Sequence, residues 1–273
     1  MMMALRVAVL AYVGMCLFVF WRQASYVYYP TRQVEETPAG RGLAFEDLKL
    51  QTADGETIAA WFVPAADPAA RTLLICHGNG GNIGHRTDAL KEFHDLGFNA
   101  LIFDYRGYGG STGKPTERGT YADAMAAWDY LTRERGIAST NIVVFGRSLG
   151  GAVATWLAGQ VHPRALVVEA TFTSIPDMAR QVFPYLPTRW LCRIRYDTAE
   201  MISRVSCPVM VVHSRNDEMV PFEHGRRLFA AAREPKRFLE LNSDHNATEV
   251  QLTLEYRKAL GEVAELRSGR VGE

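Results

Sequence analysis

The sequence predicts an α/β fold: a mostly parallel sheet of about eight strands with helices on both faces and a small helical cap. Three observations predict it. From about Leu43 onward, short β-rich runs alternate with helical patterns. After one initial hairpin, the runs are spaced widely enough for the crossovers that parallel pairing requires. Finally, residues 170–207 form a Pro- and aromatic-rich stretch too long for an ordinary connection, which reads as an insertion over the sheet edge.

Each element has a local reason. Residues 45–52 and 57–63 flank Asp54-Gly55, a strong hairpin dipeptide. Residues 71–76 (RTLLIC) read as a buried strand, and 87–96 as a helix stopped by Gly97. Strand 99–103 (NALIF) and helix 120–133 follow, then strand 141–145 (NIVVF) and helix 149–157. Residues 165–169 (ALVVE) and 208–213 (PVMVVH) are further strands. Helix 223–231, strand 237–241 and helix 247–266 complete the pattern. The insertion carries Pro176, Pro184, Pro187 and Trp190 among further aromatic and aliphatic residues.

The N-terminus is a separate object. Val7 to Trp21 carries no charge, with Arg6 before it and Arg22 after it. With the preceding apolar residues it is long enough to cross a bilayer, Arg6 snorkelling toward the interface. Trp21, Tyr26, Tyr28 and Tyr29 cluster at its far end, where amphipathic rings favour the headgroup level. A cleaved signal peptide needs a small-residue site, and Phe20-Trp21-Arg22-Gln23 is a poor one; a buried core or interfacial helix is the other alternative. The expectation is therefore a single-pass membrane anchor, or uncleaved signal, at 1–25, and an α/β domain at 26–273. Arginines flank the apolar run on both sides, so charge assigns no side of the membrane.

Composition excludes several classes. In 273 residues, 48% are apolar, enough to bury a core, so disorder is not the main state. Thirty basic residues balance thirty acidic ones, which gives no basic excess for a nucleic-acid partner. Four cysteines are too few for a disulfide scaffold. Cys76 and Cys207 flank strands and read as small buried hydrophobes, and a Cys192–Cys207 bridge stays open for a domain facing an oxidising space. No C-x-x-C or H-E-x-x-H points to zinc.

Chemistry concentrates in four loops. Gly146-Arg147-Ser148-Leu149-Gly150 fits G-x-S-x-G, with a strand running in and a helix leaving. That setting exposes Ser148 above the sheet, beside the positive end of a helix. His77-Gly78-Asn79-Gly80-Gly81-Asn82 follows a strand and offers backbone N–H groups. Asn79 is the candidate for one oxyanion donor, and Leu149, next to the serine, for the other. A phosphate-binding loop is the rival, but no Lys-Ser/Thr follows. A serine needs a base, and the base an orienting carboxylate. Of seven histidines, His245 sits in a polar loop directly after the last strand. His77 shapes the Gly-rich loop, His213 reads as a core residue, and His85, His94, His162 and His224 as surface residues. Asp217, in the loop after PVMVVH, is the candidate acid, with Glu169 at the end of the preceding strand as its rival.

At this point the chain resembles the α/β-hydrolase superfamily. More narrowly, it is similar to membrane-anchored α/β hydrolase domain-containing proteins, a group described with serine aminopeptidase-like domains. Tyr28-Tyr29-Pro30, Asp54-Gly55, Trp61, the loop His77–Asn82 and Asp104-Tyr105-Arg106-Gly107-Tyr108-Gly109 carry the likeness. So do Gly146–Gly150, Asp217-Glu218-Met219-Val220-Pro221 and His245. The resemblance implies Ser148 as nucleophile, His245 as base, Asp217 as acid, and an oxyanion hole from the Asn79 and Leu149 amides. Ser214 departs from the glycine usual after the strand histidine. Asp104 and Arg106 are expected to pair and brace their turn.

The implied reaction is acyl transfer to water through an acyl-enzyme, with no metal or organic cofactor. Phe172, Met178, Val182, Phe183, Tyr185, Leu186, Trp190 and Leu191 of the cap divide between core and an acyl-binding pocket. An apolar cap near a membrane favours esters or thioesters of longer acyl chains, including lipids or acylated proteins. A peptidase or acyltransferase on the same fold stays open, as does a non-catalytic scaffold at the membrane.

Overall fold

The computed structural model describes residues 1–245 and 253–265. α1 (Met2–Val27) is long and apolar enough to cross a membrane, and its apolar window is unburied. The Asp54-Gly55 turn, with Gly55 at φ 92°, joins β1 (Glu46–Gln51) antiparallel to β2 (Thr57–Val63). β3 (Thr72–Cys76), α2 (Thr87–Asp95), β4 (Asn99–Phe103) and α3 (Glu117–Asp129) follow. Next come β5 (Ile142–Arg147), α4 (Leu149–Gln160) and β6 (Ala165–Glu169). The insertion folds into three short helices, α5 (Ile175–Val182), α6 (Thr188–Leu191) and α7 (Thr198–Ile202). β7 (Val209–Ser214), α8 (Phe222–Ala231), β8 (Lys236–Leu241) and α9 (Leu254–Glu265) close the domain.

The eight strands lie in the order β8-β7-β6-β5-β3-β4-β2-β1. Every neighbour pair from β8 to β4 is parallel, while β2 pairs antiparallel with β4 and β1. The apolar runs of β3, β4, β5 and β6 are buried along their whole length, as strands covered on both faces must be. Along β5 the pleat sends Ile142 and Val144 into one core, and Val143 and Phe145 into the other. From β3 the chain continues to β4 on one side, while β5 lies on the other. The crevice at the carboxyl ends of β3 and β5 is therefore the point where strand order reverses, the place where open α/β sheets bind ligands.

Several boundaries differ from the sequence pattern for identifiable reasons. α3 starts three residues early because Thr116 Oγ1 accepts from the Gly119 N–H at 3.0 Å and caps it. Its end opens into a π turn over Tyr130–Glu134. Of the helix expected at 247–266, Leu254–Glu265 is helical, and residues 246–252 and 266 lie outside the described residues. Cys192 and Cys207 are both free thiols, so the bridge left open is not formed. In the cap, Phe172 and Leu186 are buried in the domain, whereas Val182, Tyr185 and Trp190 face outward.

Candidate active site

β5 delivers Ser148 at a turn too sharp for ordinary side chains. An added Cβ on Gly146 would lie 2.2 Å from the Gly150 carbonyl oxygen, and one on Gly150 would lie 2.0 Å from the Cys76 carbonyl oxygen. Both glycines are required by close backbone approach. Ser148 itself sits at φ 51°, ψ −119°, a left-handed conformation that costs a non-glycine residue about 1–3 kcal/mol. The neighbours hold it there: Ser148 N–H donates to the Glu169 carbonyl at 2.9 Å, and Gly151 N–H to the Ser148 carbonyl at 3.0 Å. Ser148 is the N-cap of α4, so its half-buried side chain stands at the helix's positive end.

The loop after β3 packs on this turn. An added Cβ on Gly78 would lie 3.8 Å from Ser148 Cβ. Leu149 is the first residue of α4, so its N–H has no intrahelical acceptor and is available beside the serine. The Asn79 carbonyl accepts from Tyr108 Oη at 2.8 Å and from Tyr29 N–H at 3.1 Å, while Asn79 Nδ2 donates to the Val27 carbonyl at 3.1 Å. Tyr29–Pro30 forms a two-residue parallel ladder with Gly80–Gly81. Asn82 Nδ2 donates to the Thr31 and Gln33 carbonyls at 3.0 and 2.7 Å. The segment leaving α1 is thus a strap across the Gly-rich loop. A ladder of two residues leaves no periodicity in the sequence to mark it.

On the other side, the loops after β7 and β8 bring Asp217 and His245 together. His245 Nδ1 lies 2.7 Å from Asp217 Oδ2, and both side chains are buried. Asp217 Oδ1 accepts from the Val220 and Met219 N–H groups at 2.7 and 2.9 Å. Burial pushes the Asp217 carboxyl up, but the His245 hydrogen bond and these amides outweigh it and hold it below its ordinary value. Ser214 closes the loops: its Oγ donates to the Ser243 carbonyl and accepts from Ser243 N–H at 2.9 Å and Asn216 N–H at 3.2 Å. The departure from glycine at this position is a side-chain staple. Arg147 adds a further brace, donating to the His245 carbonyl and pairing with Glu169 at 3.0 Å. Tyr256 Oη donates to the other Glu169 oxygen.

Taken together, strand–Ser–helix turn, apposed Gly-rich loop and His–Asp pair sit on one sheet of this strand order. The α/β hydrolase fold family matches residues 71–199. The α/β hydrolase domain-containing protein WAV2 of Arabidopsis thaliana is 37% identical over 239 residues, covering 78% of this chain and 77% of WAV2. This chain belongs to the α/β-hydrolase family. Another relative, protein bem46 of Schizosaccharomyces pombe, is 37% identical over 217 residues, 75% of this chain and 73% of its own. Among solved structures, the Pyrococcus furiosus esterase Pf2001 superposes with a TM-score of 0.72 at 22% identity, over 88% of this chain and all of that chain (100%). At that identity the likeness shows the shared fold.

Two expectations for this α/β-hydrolase chain need correction. Asp104 and Arg106 do not pair with each other. Asp104 Oδ1 accepts from Ile83 N–H at 2.9 Å and lies 3.5 Å from His77 Nε2, bracing the Gly-rich loop. Arg106 instead bridges Asp54 in the hairpin turn, at 2.7 Å, and Asp123 of α3, at 2.8 Å. Two residues apart in a tight turn, their side chains point different ways. His224 is buried rather than on the surface. Its Nδ1 accepts from the Thr173 N–H at 3.1 Å and its Nε2 faces Gln181 Nε2 at 2.8 Å, so α8 turns it inward against the cap.

Proposed function

We propose that this chain is a serine hydrolase acting on carboxylic ester or thioester bonds, with Ser148 as nucleophile, His245 as base and Asp217 as acid. The observation that carries the reading is the 2.7 Å contact from His245 Nδ1 to Asp217. With Nδ1–H donating to the carboxylate, Nε2 is the unprotonated nitrogen, the tautomer a general base needs. Glu169, the rival acid, supports this assignment by its engagement with Arg147 and Tyr256.

Ser148 Oγ attacks the acyl carbonyl as His245 Nε2 takes its proton. The carbonyl oxygen gains the negative charge, and the Asn79 and Leu149 N–H groups stabilise it. His245 returns the proton to the departing alcohol or thiol, leaving an acyl-Ser148 ester. Water, deprotonated by His245, then attacks that ester and regenerates Ser148. The strained Ser148 backbone supports this role, since such strain persists where a site requires it.

The substrate is an apolar acyl ester or thioester, a lipid or an acylated protein, met at a membrane in which α1 is the anchor. In this division residues 1–25 tether a hydrolase domain at 26–273, with its cap at 170–207. The length and composition of α1 and the outward apolar side chains of the cap support it. The test is fluorophosphonate labelling of the full chain, beside Ser148→Ala and His245→Ala. Labelling of the wild type that both variants lose is the expected result, followed by turnover of a p-nitrophenyl ester series rising with acyl length. A folded wild-type chain that takes no label and turns over no ester overturns the reading in favour of a scaffold.

A further inference from the structure

α1 does not leave the domain at once. Tyr12 Oη donates to the Tyr185 carbonyl at 3.0 Å. Gln23 makes three hydrogen bonds to cap backbone: Nε2 to the Leu191 carbonyl at 2.7 Å, and Oε1 from the Arg193 and Ile194 N–H groups at 2.7 and 3.3 Å. Arg193 donates to the Phe20 carbonyl at 3.1 Å and lies over the Phe20 ring. Tyr26 meets Phe183 edge to face. These contacts span residues 12 to 26, so at about 1.5 Å per residue the cap follows α1 for about 20 Å. An apolar pocket lies in the seam, lined by Val19, Tyr26, Ile175, Ala179, Phe183 and Leu186.

Beside this seam the cap turns apolar side chains outward. Val182 is 64% exposed, Tyr185 60% and Trp190 90%, with Trp21 of α1 at 71%. Arg180 and, next to Trp190, Arg189 are exposed too, with stems long enough to carry their charges toward headgroups. An apolar helix that enters a bilayer takes along whatever is docked against its middle. Backbone polar groups that go with it need partners inside the protein. Tyr12 and Gln23 supply them to Tyr185, Leu191, Arg193 and Ile194. Gln23, almost fully buried, is a costly residue in a membrane helix, and its three bonds to one backbone stretch account for it.

We propose that the cap tip, residues 182–190, enters the hydrocarbon region of the membrane beside α1. The two form one lipid-contacting surface, and the seam between them opens to lipid rather than to water. The proposal rests on the reading of α1 as a membrane anchor. Its partner is the bilayer itself.

The test uses the full chain in phosphatidylcholine vesicles with and without bromine-labelled acyl chains, which quench nearby tryptophan. Of the five tryptophans, Trp61 and Trp128 are buried in the domain and Trp156 is half-buried and stacked on Tyr121, so Trp21 and Trp190 are the exposed reporters. Trp190→Phe and Trp21→Phe are each expected to remove a comparable share of the lipid-quenchable fluorescence. Quenching that Trp21→Phe reduces and Trp190→Phe leaves unchanged overturns the cap-tip insertion and leaves the anchor standing. A chain that does not float with vesicles overturns the anchor and, with it, this proposal.

Discussion

The two halves of the candidate site are held by different means. The Gly-rich loop is held along its own backbone: a strap from residues 27–33 ladders onto Gly80–Gly81 and binds the Asn79 carbonyl, and the Asn79, Asn82 and Tyr108 side chains tie the same segments together. The His245–Asp217 half is fixed by side chains, with Ser214, Arg147 and the Asp217 carboxylate each tying one loop to another. The serine turn lies between them, its shape set by two glycines rather than by either brace. In the proposed reaction the Gly-rich half would act through backbone N–H groups, which substitution of side chains leaves in place. The half proposed to move protons depends on single side chains, so it is more easily broken.

The largest effect should therefore fall on the side-chain half. Asp217→Asn keeps the shape but favours the wrong His245 tautomer, and kcat of the folded variant should fall by about 10⁴-fold. Circular dichroism establishes the fold, and steady-state ester hydrolysis reads the loss. A fall of tenfold or less, on the order of a lost packing contact, would transfer the acid role to Glu169.

The backbone half needs a backbone variant. Tyr29→Pro removes the N–H that donates to the Asn79 carbonyl, and Tyr28 at φ −114°, ψ 126° already has the conformation a following proline demands. Misplacing the loop on the order of 1 Å should lower kcat by up to about 100-fold with KM nearly constant. Tyr29→Phe keeps the N–H and should leave kcat unchanged. Equal losses in both would mean the strap acts through the Tyr29 ring and not through the ladder.

Arg147→Lys is the milder probe of the other half. It keeps the charge beside Glu169 but cannot fork between that carboxylate and the His245 carbonyl. A fall in kcat of about tenfold, with the acid limb of the pH–rate profile displaced, is expected. An unchanged profile with a lower melting temperature would reduce Arg147 to a structural ion pair.

The same contrast decides what was legible in the sequence. Ser148, Asp217 and His245 stand in loops directly after apolar runs, so strand patterning alone brings them to one edge of the sheet. G-x-S-x-G is legible because close packing leaves glycine no substitute. Arg147 is written inside that motif, but its partner Glu169 is distant in the chain and a variable motif position carries no signal. Closeness in sequence suggests that Asp104 and Arg106 pair, but in the fold each reaches a different element. The strap and the Gln23 contacts are long-range hydrogen bonds to backbone, which no residue spacing encodes.

The smallest predicted effect is on stability, and it also separates the two halves. His213 and His224 lie under the His–Asp half, and burial lowers the pKa of both below the ordinary 6.5. His224 Nδ1 accepts from Thr173 N–H, so a proton there would face a donor. His213 Nε2 donates to the Val220 carbonyl at 2.8 Å, and its ring packs against α8 at Gly225. Burial disfavours the charged form of both in the folded chain, whereas the unfolded chain binds protons near pH 6.5. Stability is thus fully present above that value and declines as pH falls through it toward the lower folded values. The urea midpoint should drop between pH 7.5 and 5.5, and His224→Gln should shrink that drop, because glutamine has no proton to gain. Asp217, held low, adds its own loss only at more acid pH, as its carboxylate protonates below the ordinary 3.8. A midpoint flat across pH 7.5 to 5.5 would mean these histidines are charged in the fold, contrary to the acceptor role of His224.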